Sequence, residues 1–129
     1  MIVDSSAIIA ILKGEPEAER FTSALEQAET AKMSTASYVE AGVVADSAKN
    51  PLISRQFDEL VRVMDVELVP LTFTQARLAR EAHRDFGRGS GHPAGLNFGD
   101  CFSYALAKET GEPLLYKGTD FAATDVDPA

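Results

Sequence analysis

The chain opens with Met1-Ile-Val-Asp4-Ser-Ser-Ala-Ile-Ile-Ala-Ile-Leu12, the stretch that decides the fold. Three apolar residues, two of them β-branched, are typical of a short buried strand. Asp4 ends that run, and an apolar helix is predicted from Ser5 onward. A first strand buried on both faces suits the middle of a parallel sheet. Asp4 would then lie where a strand's C-terminal end meets a helix, which is where open α/β sheets bind their ligands.

The bulk properties favour one globular domain over residues 1–129. The chain is 45% hydrophobic, and it contains no internal repeat or low-complexity tract. Its longest apolar run, Ala7 to Leu12, is too short to span a bilayer, and no signal segment precedes it. We therefore expect a cytoplasmic protein with no membrane association. The single Cys101 excludes an intrachain disulfide and a zinc site built from cysteines.

The net charge of −8 argues against nonspecific binding of a phosphate backbone by charge alone. An acidic protein can still act on nucleic acid if its acids cluster and hold metal ions. The same charge would also suit a basic protein partner, so charge does not choose between these functions.

Predicted strands and helices alternate along the chain. The predicted strands are Met1–Val3, Ala31–Ser34, Glu67–Leu71 and Pro113–Tyr116, with a further edge strand near Val126. The predicted helices run from Ser5 to about Lys13, Pro16 to about Glu29, Thr35 to Asp46, Asn50 to about Met64, Thr72 to about Phe86, and Asn97 to Gly111. Pro70 favours an edge position for its strand. This order predicts a three-layer α/β/α sandwich around a mostly parallel sheet of four or five strands.

The helix from Thr35 to Asp46 is apolar nearly all round, which indicates burial or an interface. Glu40 lies inside it, and no cation stands three or four residues away to neutralise the carboxylate. An unpaired buried carboxylate costs several kcal/mol, so a group outside the helix must compensate Glu40.

Four acids, Asp4, Glu40, Asp100 and Asp120, have ordinary structural explanations when each is considered alone. Asp4 and Asp120 could cap helical segments. Glu40 and Asp100 each stand three residues after a capping residue type, the spacing of a capping box.

Taken together, the four acids are predicted at strand-to-helix junctions on one edge of the sheet. A carboxylate pair ~5 Å apart repels by roughly 3 kcal/mol at an effective dielectric constant of about 20. Bound divalent cations would remove that cost. Because the set contains no histidine, Mg²⁺ or Mn²⁺ is favoured over zinc.

Four fragments, in this order, resemble a PIN-domain ribonuclease: Met1-Ile-Val-Asp-Ser-Ser, Glu40, Leu96-Asn-Phe-Gly-Asp-Cys and Leu115-Tyr-Lys-Gly-Thr-Asp-Phe. Within that group the chain is most similar to the VapC toxins of bacterial toxin–antitoxin pairs. The resemblance extends from Met1 to about Asp125, and it implies a PIN-like fold.

The resemblance assigns Asp4, Glu40, Asp100 and Asp120 to the family's metal site and catalytic acids. The positions that it implies as supporting groups are Ser5, Ser6, Asn97 and Thr119, and Thr119 stands where many family members have Asn. The implied chemistry is endoribonuclease action, in which acid-bound Mg²⁺ activates water and stabilises the leaving oxygen. The family also implies a homodimer and inhibition by a cognate VapB-like antitoxin.

Several other side chains have competing interpretations. The stripe of Arg77, Arg80 and Arg84 is typical of a solvated helix face, but beside a nuclease site Arg84 and Arg88 become candidates for RNA binding. Lys117 could contact phosphate or simply end a strand. His83 and His92 could be metal ligands or a general base, but this interpretation is disfavoured because His92 stands in a loop with no matching ligand spacing. Cys101 fits a small buried helix residue better than a nucleophile.

Two alternative functions remain open at this stage. A phosphoacceptor receiver-like signalling domain shares the parallel fold, the strand-end acids, Mg²⁺ and a late lysine, which Lys117 could supply. It needs an aspartate at the end of its middle strand, however, and Glu67-Leu-Val-Pro-Leu-Thr72 offers none. An inactive α/β protein-binding module would use only the apolar helix surface, and divalent-metal binding would separate it from a nuclease.

Overall fold

A four-stranded parallel sheet forms the centre of the protein in the computed structural model, which describes residues 1–129. The strands are β1 (Ile2–Val3), β2 (Ala31–Ser34), β3 (Val66–Val69) and β4 (Leu114–Leu115), and their order across the sheet is β3-β2-β1-β4. The first strand of the chain is therefore central, as predicted. The edge position of β3 confirms the prediction made from Pro70.

Six helices and one short helical turn alternate with the strands along the chain. The helices are α1 (Ser5–Leu12), α2 (Ala18–Gln27), α3 (Thr35–Ser47), α4 (Pro51–Val63), α5 (Phe73–Phe86) and α6 (Asp100–Thr110), and a 3₁₀ turn covers Phe121–Ala123. The predicted starts at Asn50 and Thr72 are confirmed, since both side chains cap a helix N-terminus. Gly111, in the left-handed conformation with φ +68°, ends α6. None of these helices combines the length and the apolar character of a transmembrane span.

The two faces of the sheet carry separate hydrophobic cores, because successive strand residues point to opposite sides. Val3 belongs to the core that α1 to α4 cover, whereas its neighbour Ile2 belongs to the core beneath α5 and α6. Both side chains are fully buried. This division confirms the predicted three-layer α/β/α sandwich.

The predicted strand near Val126 is wrong. The C-terminal segment makes a single parallel bridge, between Pro128 and Leu114 on β4. Leu114 N donates to Asp127 O at 2.8 Å, and Ala129 N donates to Leu114 O at 2.9 Å. One bridge is too little pairing to form a strand, and the sheet therefore keeps four strands.

Helix α3 is only partly buried. Ser37, Ala41 and Ala45 form its buried side, whereas Val39 and Val43 are 59% and 62% exposed. Burial within the chain is therefore the wrong explanation for these valines. They leave an apolar surface that solvent reaches in the single chain.

Candidate functional site

Asp4 lies at the junction of β1 and α1, where it caps the helix. Its carboxylate is 2% exposed and accepts hydrogen bonds from Ser6 N at 2.9 Å and from Ser103 Oγ at 2.6 Å. The capping role predicted from the sequence is therefore present. A helix cap requires neither the nearly complete burial of this carboxylate nor the hydrogen bond from Ser103, which lies on α6, 99 residues further along the chain.

Glu40 projects from the second turn of α3, and Ser5 Oγ donates a hydrogen bond to its Oε1. Ser5 is thus a group outside the helix that stabilises the carboxylate, but a neutral hydroxyl leaves its negative charge in place. Glu40 also packs directly against Gly99, where an added Cβ would overlap Oε2. The close approach is possible because Gly99 has no side chain.

The capping-box interpretation of Glu40 is wrong. Helix α3 is capped by Ser34, whose Oγ accepts from Ala36 N at 3.3 Å. Ser37, the proposed box partner, instead shares a buried hydrogen bond with Ser103 at 3.0 Å between their Oγ atoms. Glu40 therefore contributes nothing to the helix start and faces the first residues of α1.

Asp100 is the first residue of α6 and is 9% exposed. It forms a reciprocal pair with Asn97, in which Asn97 N donates to Asp100 Oδ2 at 3.0 Å and Asp100 N donates to Asn97 Oδ1 at 2.8 Å. The prediction that every acid follows a strand is wrong here, since a loop precedes Asp100 and has only the bridge between Gly87 and Leu96.

Asp120 directly precedes the 3₁₀ turn and is half-buried, but its side chain makes no capping hydrogen bond. The cap interpretation therefore fails for this acid. Thr119 is exposed, and its side chain forms no hydrogen bond. Ser6 has a structural role close to this segment. Its Oγ accepts a hydrogen bond from Lys117 N at 3.0 Å, which connects the segment after β4 to α1.

The effect of the other three acids on the pKa of Asp100 shows that the four carboxylates are close enough to interact. The pKa of the Asp100 carboxyl is raised to about 7, first by burial and then by the negative charges of Asp4, Asp120 and Glu40, against the opposing effect of the Asn97 hydrogen bond. None of the four acids takes part in an ion pair. The carboxylates that do are Glu15, Glu17, Glu59, Asp85, Glu112 and Asp125.

The arrangement is a cluster of carboxylates and not a closed ligand shell. No group of three or more Asp, Glu, His or Cys side chains is assembled at metal-binding distances. Four oxygens accept no hydrogen bond from the chain, namely Glu40 Oε2, Asp100 Oδ1 and both carboxylate oxygens of Asp120. These oxygens and the all-oxygen donor set suit a hard divalent cation such as Mg²⁺ or Mn²⁺.

Two residues that position the acids were not found from the sequence. Ser103 supports Asp4 from α6, and Gly99 makes room for Glu40. Ser103 carries a weak signal, since it stands one helical turn after Asp100. Gly99 carries none, because its φ of −64° is open to any residue and only the packing of α3 against it excludes a side chain.

The basic candidates lie at different places. Arg84 and Arg88 are exposed, and Arg84 pairs with the neighbouring Asp85 at 2.8 Å. Arg77, Arg80 and Arg84 line a shallow cavity of ≈ 350 Å³ along α5. Lys117 pairs with Glu15 and, at 3.3 Å, with Glu17, so its charge is already matched.

Of the remaining candidates, His92 and Cys101 have structural roles. His92 Nδ1 accepts from Ala94 N at 3.1 Å, and its ring contacts Phe86 edge-on at 4.8 Å between centroids. His83 is exposed on α5. Cys101 is buried, as predicted, and burial followed by the charge of Asp100 raises the pKa of its thiol to about 11. The thiol is therefore a poor nucleophile.

The chain matches known proteins over its whole length. A family model described as PIN domain matches residues 1–127. Ribonuclease VapC28 of Mycobacterium tuberculosis is 57% identical over 129 residues, which cover 100% of this chain and 97% of the relative. Ribonuclease VapC42 of the same organism is 49% identical, with coverage of 100% and 98%.

Two solved structures share the fold. The crystal structure of Mycobacterium tuberculosis VapC20, described as a sarcin–ricin loop cleaving toxin, has a TM-score of 0.75 and 16% identity, covering 99% of this chain and 97% of that one. A toxin–antitoxin complex from Klebsiella pneumoniae has a TM-score of 0.71 and 17% identity, covering 96% and 92%.

We expect Asp100→Asn to stabilise the metal-free protein above neutral pH. Because the pKa of Asp100 is raised on folding, the carboxyl destabilises the folded state increasingly as pH rises from about 4 through about 7. The amide keeps the Asn97 partner and removes the repulsion. The gain should be about 1–3 kcal/mol near pH 8 on the Coulomb scale for such groups, and it should vanish near pH 4.

Denaturant melting in EDTA at fixed ionic strength measures this difference. Asp58→Asn, which changes an exposed acid on α4, is the matched control and should show no such pH-dependent gain. A destabilised Asp100→Asn protein at pH 8 would leave only the helix-capping role.

Proposed function

Because the chain belongs to the PIN-domain family, and within it to the VapC ribonucleases, we propose that Asp4, Glu40, Asp100 and Asp120 hold Mg²⁺ and that the protein hydrolyses RNA as an endoribonuclease. Mn²⁺ is a possible substitute. The observation that carries the proposal is the buried Asp100, whose pKa is raised to about 7 by burial and by three further carboxylates. The family assignment gives no support to the receiver-like alternative.

The chemistry of the donors supports a hard cation. The acids lack a cationic side chain that would neutralise them, and oxygen is the only ligand type they offer. When bound, Mg²⁺ would lower the pKa of an attacking water and neutralise charge on the phosphate.

The chain's own residues hold the carboxylates in place. Ser103 Oγ and Ser6 N fix both oxygens of Asp4, so this side chain cannot rotate away when the charge around it changes. Ser5 does the same for one oxygen of Glu40, and Asn97 for one oxygen of Asp100. Removing a hydrogen-bond partner of a metal ligand typically lowers metal affinity or activity by roughly 10- to 100-fold.

Arg84 and Arg88 are proposed to position the RNA backbone. Both are exposed, and the Arg84–Asp85 pair is a solvent-screened surface pair, in which a phosphate can take the place of Asp85. Lys117 is a weaker candidate, because a phosphate would have to displace two carboxylates.

The protein partners follow from the family and from surface chemistry. We propose a cognate VapB-like antitoxin as inhibitor, since a related fold was solved as a toxin–antitoxin complex. We also propose a homodimer, supported by the exposed Val39 and Val43 on α3. The proposed place of action is the cytoplasm, where RNA substrates are found.

Removing the metal should abolish RNA cleavage. Purified protein, free of antitoxin, should cleave RNA in Mg²⁺ and stop in EDTA. Asp4→Asn should lower the rate by more than roughly 100-fold, the upper range for losing a partner of a metal ligand. Cleavage of a labelled RNA is followed on gels, with Asp58→Asn as a control that keeps activity. A folded Asp4→Asn protein with full activity would contradict the site, and an inactive wild type would favour a binding module.

Gly99→Ala should impair cleavage without unfolding the protein. The new methyl group overlaps Glu40 Oε2, and Glu40 can move because it is the flexible end of a side chain. We expect a loss of roughly 10-fold or more in rate, as for other groups that position metal ligands, and a change in unfolding free energy below about 1 kcal/mol.

Gly42→Ala is the matched control for that substitution. Gly42 lies on α3, the helix that carries Glu40. Its added Cβ would meet Phe57 at an ordinary 3.4 Å, and an alanine there favours the helix. It should retain wild-type cleavage. Equal activity of the Gly99→Ala protein would show that the position of Glu40 does not matter.

The proposed homodimer is tested by Val43→Asp. A charge on the exposed face of α3 should shift the protein toward monomer in size-exclusion chromatography with light scattering, because a charge is costly to bury at an interface. Val63→Asp, at a 57% exposed position on α4, should not. A wild-type protein that is monomeric at all concentrations would refute the dimer.

A further inference from the structure

An apolar groove of ≈ 560 Å³ runs between α5 and α6. Ala79 and Cys101 contribute small side chains to it, Phe98 and Phe102 contribute aromatic rings, and Arg80 and Arg84 provide the cationic groups. The catalytic acids do not line this groove. It is thus a separate surface with its own chemistry.

Phe98 is the most unusual member of the groove, because it is 75% exposed although aromatic. Its ring meets Phe102 edge-on, with centroids 4.9 Å apart and planes at 89°. This contact supports the ring and leaves it open to solvent. A ring held in that way is suited to stacking against another flat π system.

The cations beside the groove are unusual in so acidic a chain. The net charge is −8, yet Arg77, Arg80 and Arg84 line one cavity along α5, with Glu81 as its single acid. Arg80 has no ion-pair partner, and Arg84 has only the exposed pair with Asp85. An occupant that carries both negative charge and flat apolar surface is complementary to this combination. Nucleotides have both features, whereas a basic peptide would be repelled by the arginines.

The groove opens next to the acid cluster. Phe98 and Asp100 flank Gly99, which packs against the carboxylate of Glu40. Cys101, which lines the groove, directly follows Asp100 in α6. A polymer bound in the groove would therefore pass close to the acids.

We propose that this groove binds one unpaired nucleotide of a single-stranded RNA, with the base stacked on Phe98 and a neighbouring phosphate bound by Arg80 and Arg84. The proposal rests on the proposed function and adds to it a subsite that selects unpaired substrate. Phe98 and Arg80 are then positioning residues, which determine the phosphodiester bond that reaches the acids. Stacking is possible only where a base is not paired, so loops and single strands are preferred.

The first test measures binding of a fluorescently labelled single-stranded RNA in EDTA, where cleavage does not occur. Phe98→Leu should weaken binding roughly 5- to 100-fold, the range for losing one stacked base. Phe98→Tyr keeps an aromatic ring and should bind within roughly 2-fold of wild type. Phe73→Leu removes a 79% exposed phenylalanine that does not line the groove, and it should have no effect.

The second test separates phosphate contact from general charge. Arg80→Ala should reduce the slope of log affinity against log salt by about 0.7, the value for one phosphate contact on a single strand. Arg55→Ala removes an exposed arginine on α4 and should leave the slope nearly unchanged. Photocrosslinking with 5-iodouridine RNA, followed by mass spectrometry, should place the linked base on Phe98.

The results distinguish this proposal from the nuclease proposal. Loss of binding in Phe98→Leu, with Phe98→Tyr intact, supports the subsite even if the wild-type protein cleaves nothing in Mg²⁺. Equal binding by wild type and Phe98→Leu, equal weakening by Phe73→Leu, or no RNA binding by wild type at low salt would each overturn it. The groove would then be assigned to a polypeptide partner.

Discussion

Repulsion among four carboxylates is the constraint on which this end of the molecule depends. Asp4 and Asp100 are nearly excluded from water, and burial together with the three other acids raises the pKa of Asp100 to about 7. Hydrogen-bond donors and helix N-termini partly stabilise these negative charges, since Asp4 caps α1 and Asp100 begins α6. Capping and a shared metal are therefore compatible functions of the same side chains.

Local sequence signals predicted most of the fold. The apolar opening with Asp4 correctly predicted a central strand followed by a helix, and the caps at Asn50 and Thr72 marked two helix starts. These features depend on residues close in sequence, so they can be read without tertiary information. The failed strand near Val126 is of another kind, because the extent of its pairing depends on how the C-terminal segment meets Leu114 on β4, a contact between distant parts of the chain.

The details of the site depend on contacts between distant segments, and the sequence predicted them less well. The bond from Ser103 to Asp4 and the packing of Glu40 against Gly99 join different helices, and neither has a local pattern. The exposed Val39 and Val43 are a second example, because the apolar sequence of α3 suggested burial and did not show which of its faces would remain outside the core. Which face of an apolar helix meets the core is decided by its neighbours.

The central claim is that these four acids share a divalent cation, and a crystal soaked in Mn²⁺ tests it most directly. Anomalous scattering from manganese identifies the ion without reference to any activity. The account predicts an anomalous peak within ligand distance of Asp4 and at least two of the three other acids. A well-ordered site with no anomalous peak, or a peak only elsewhere on the protein, would contradict it.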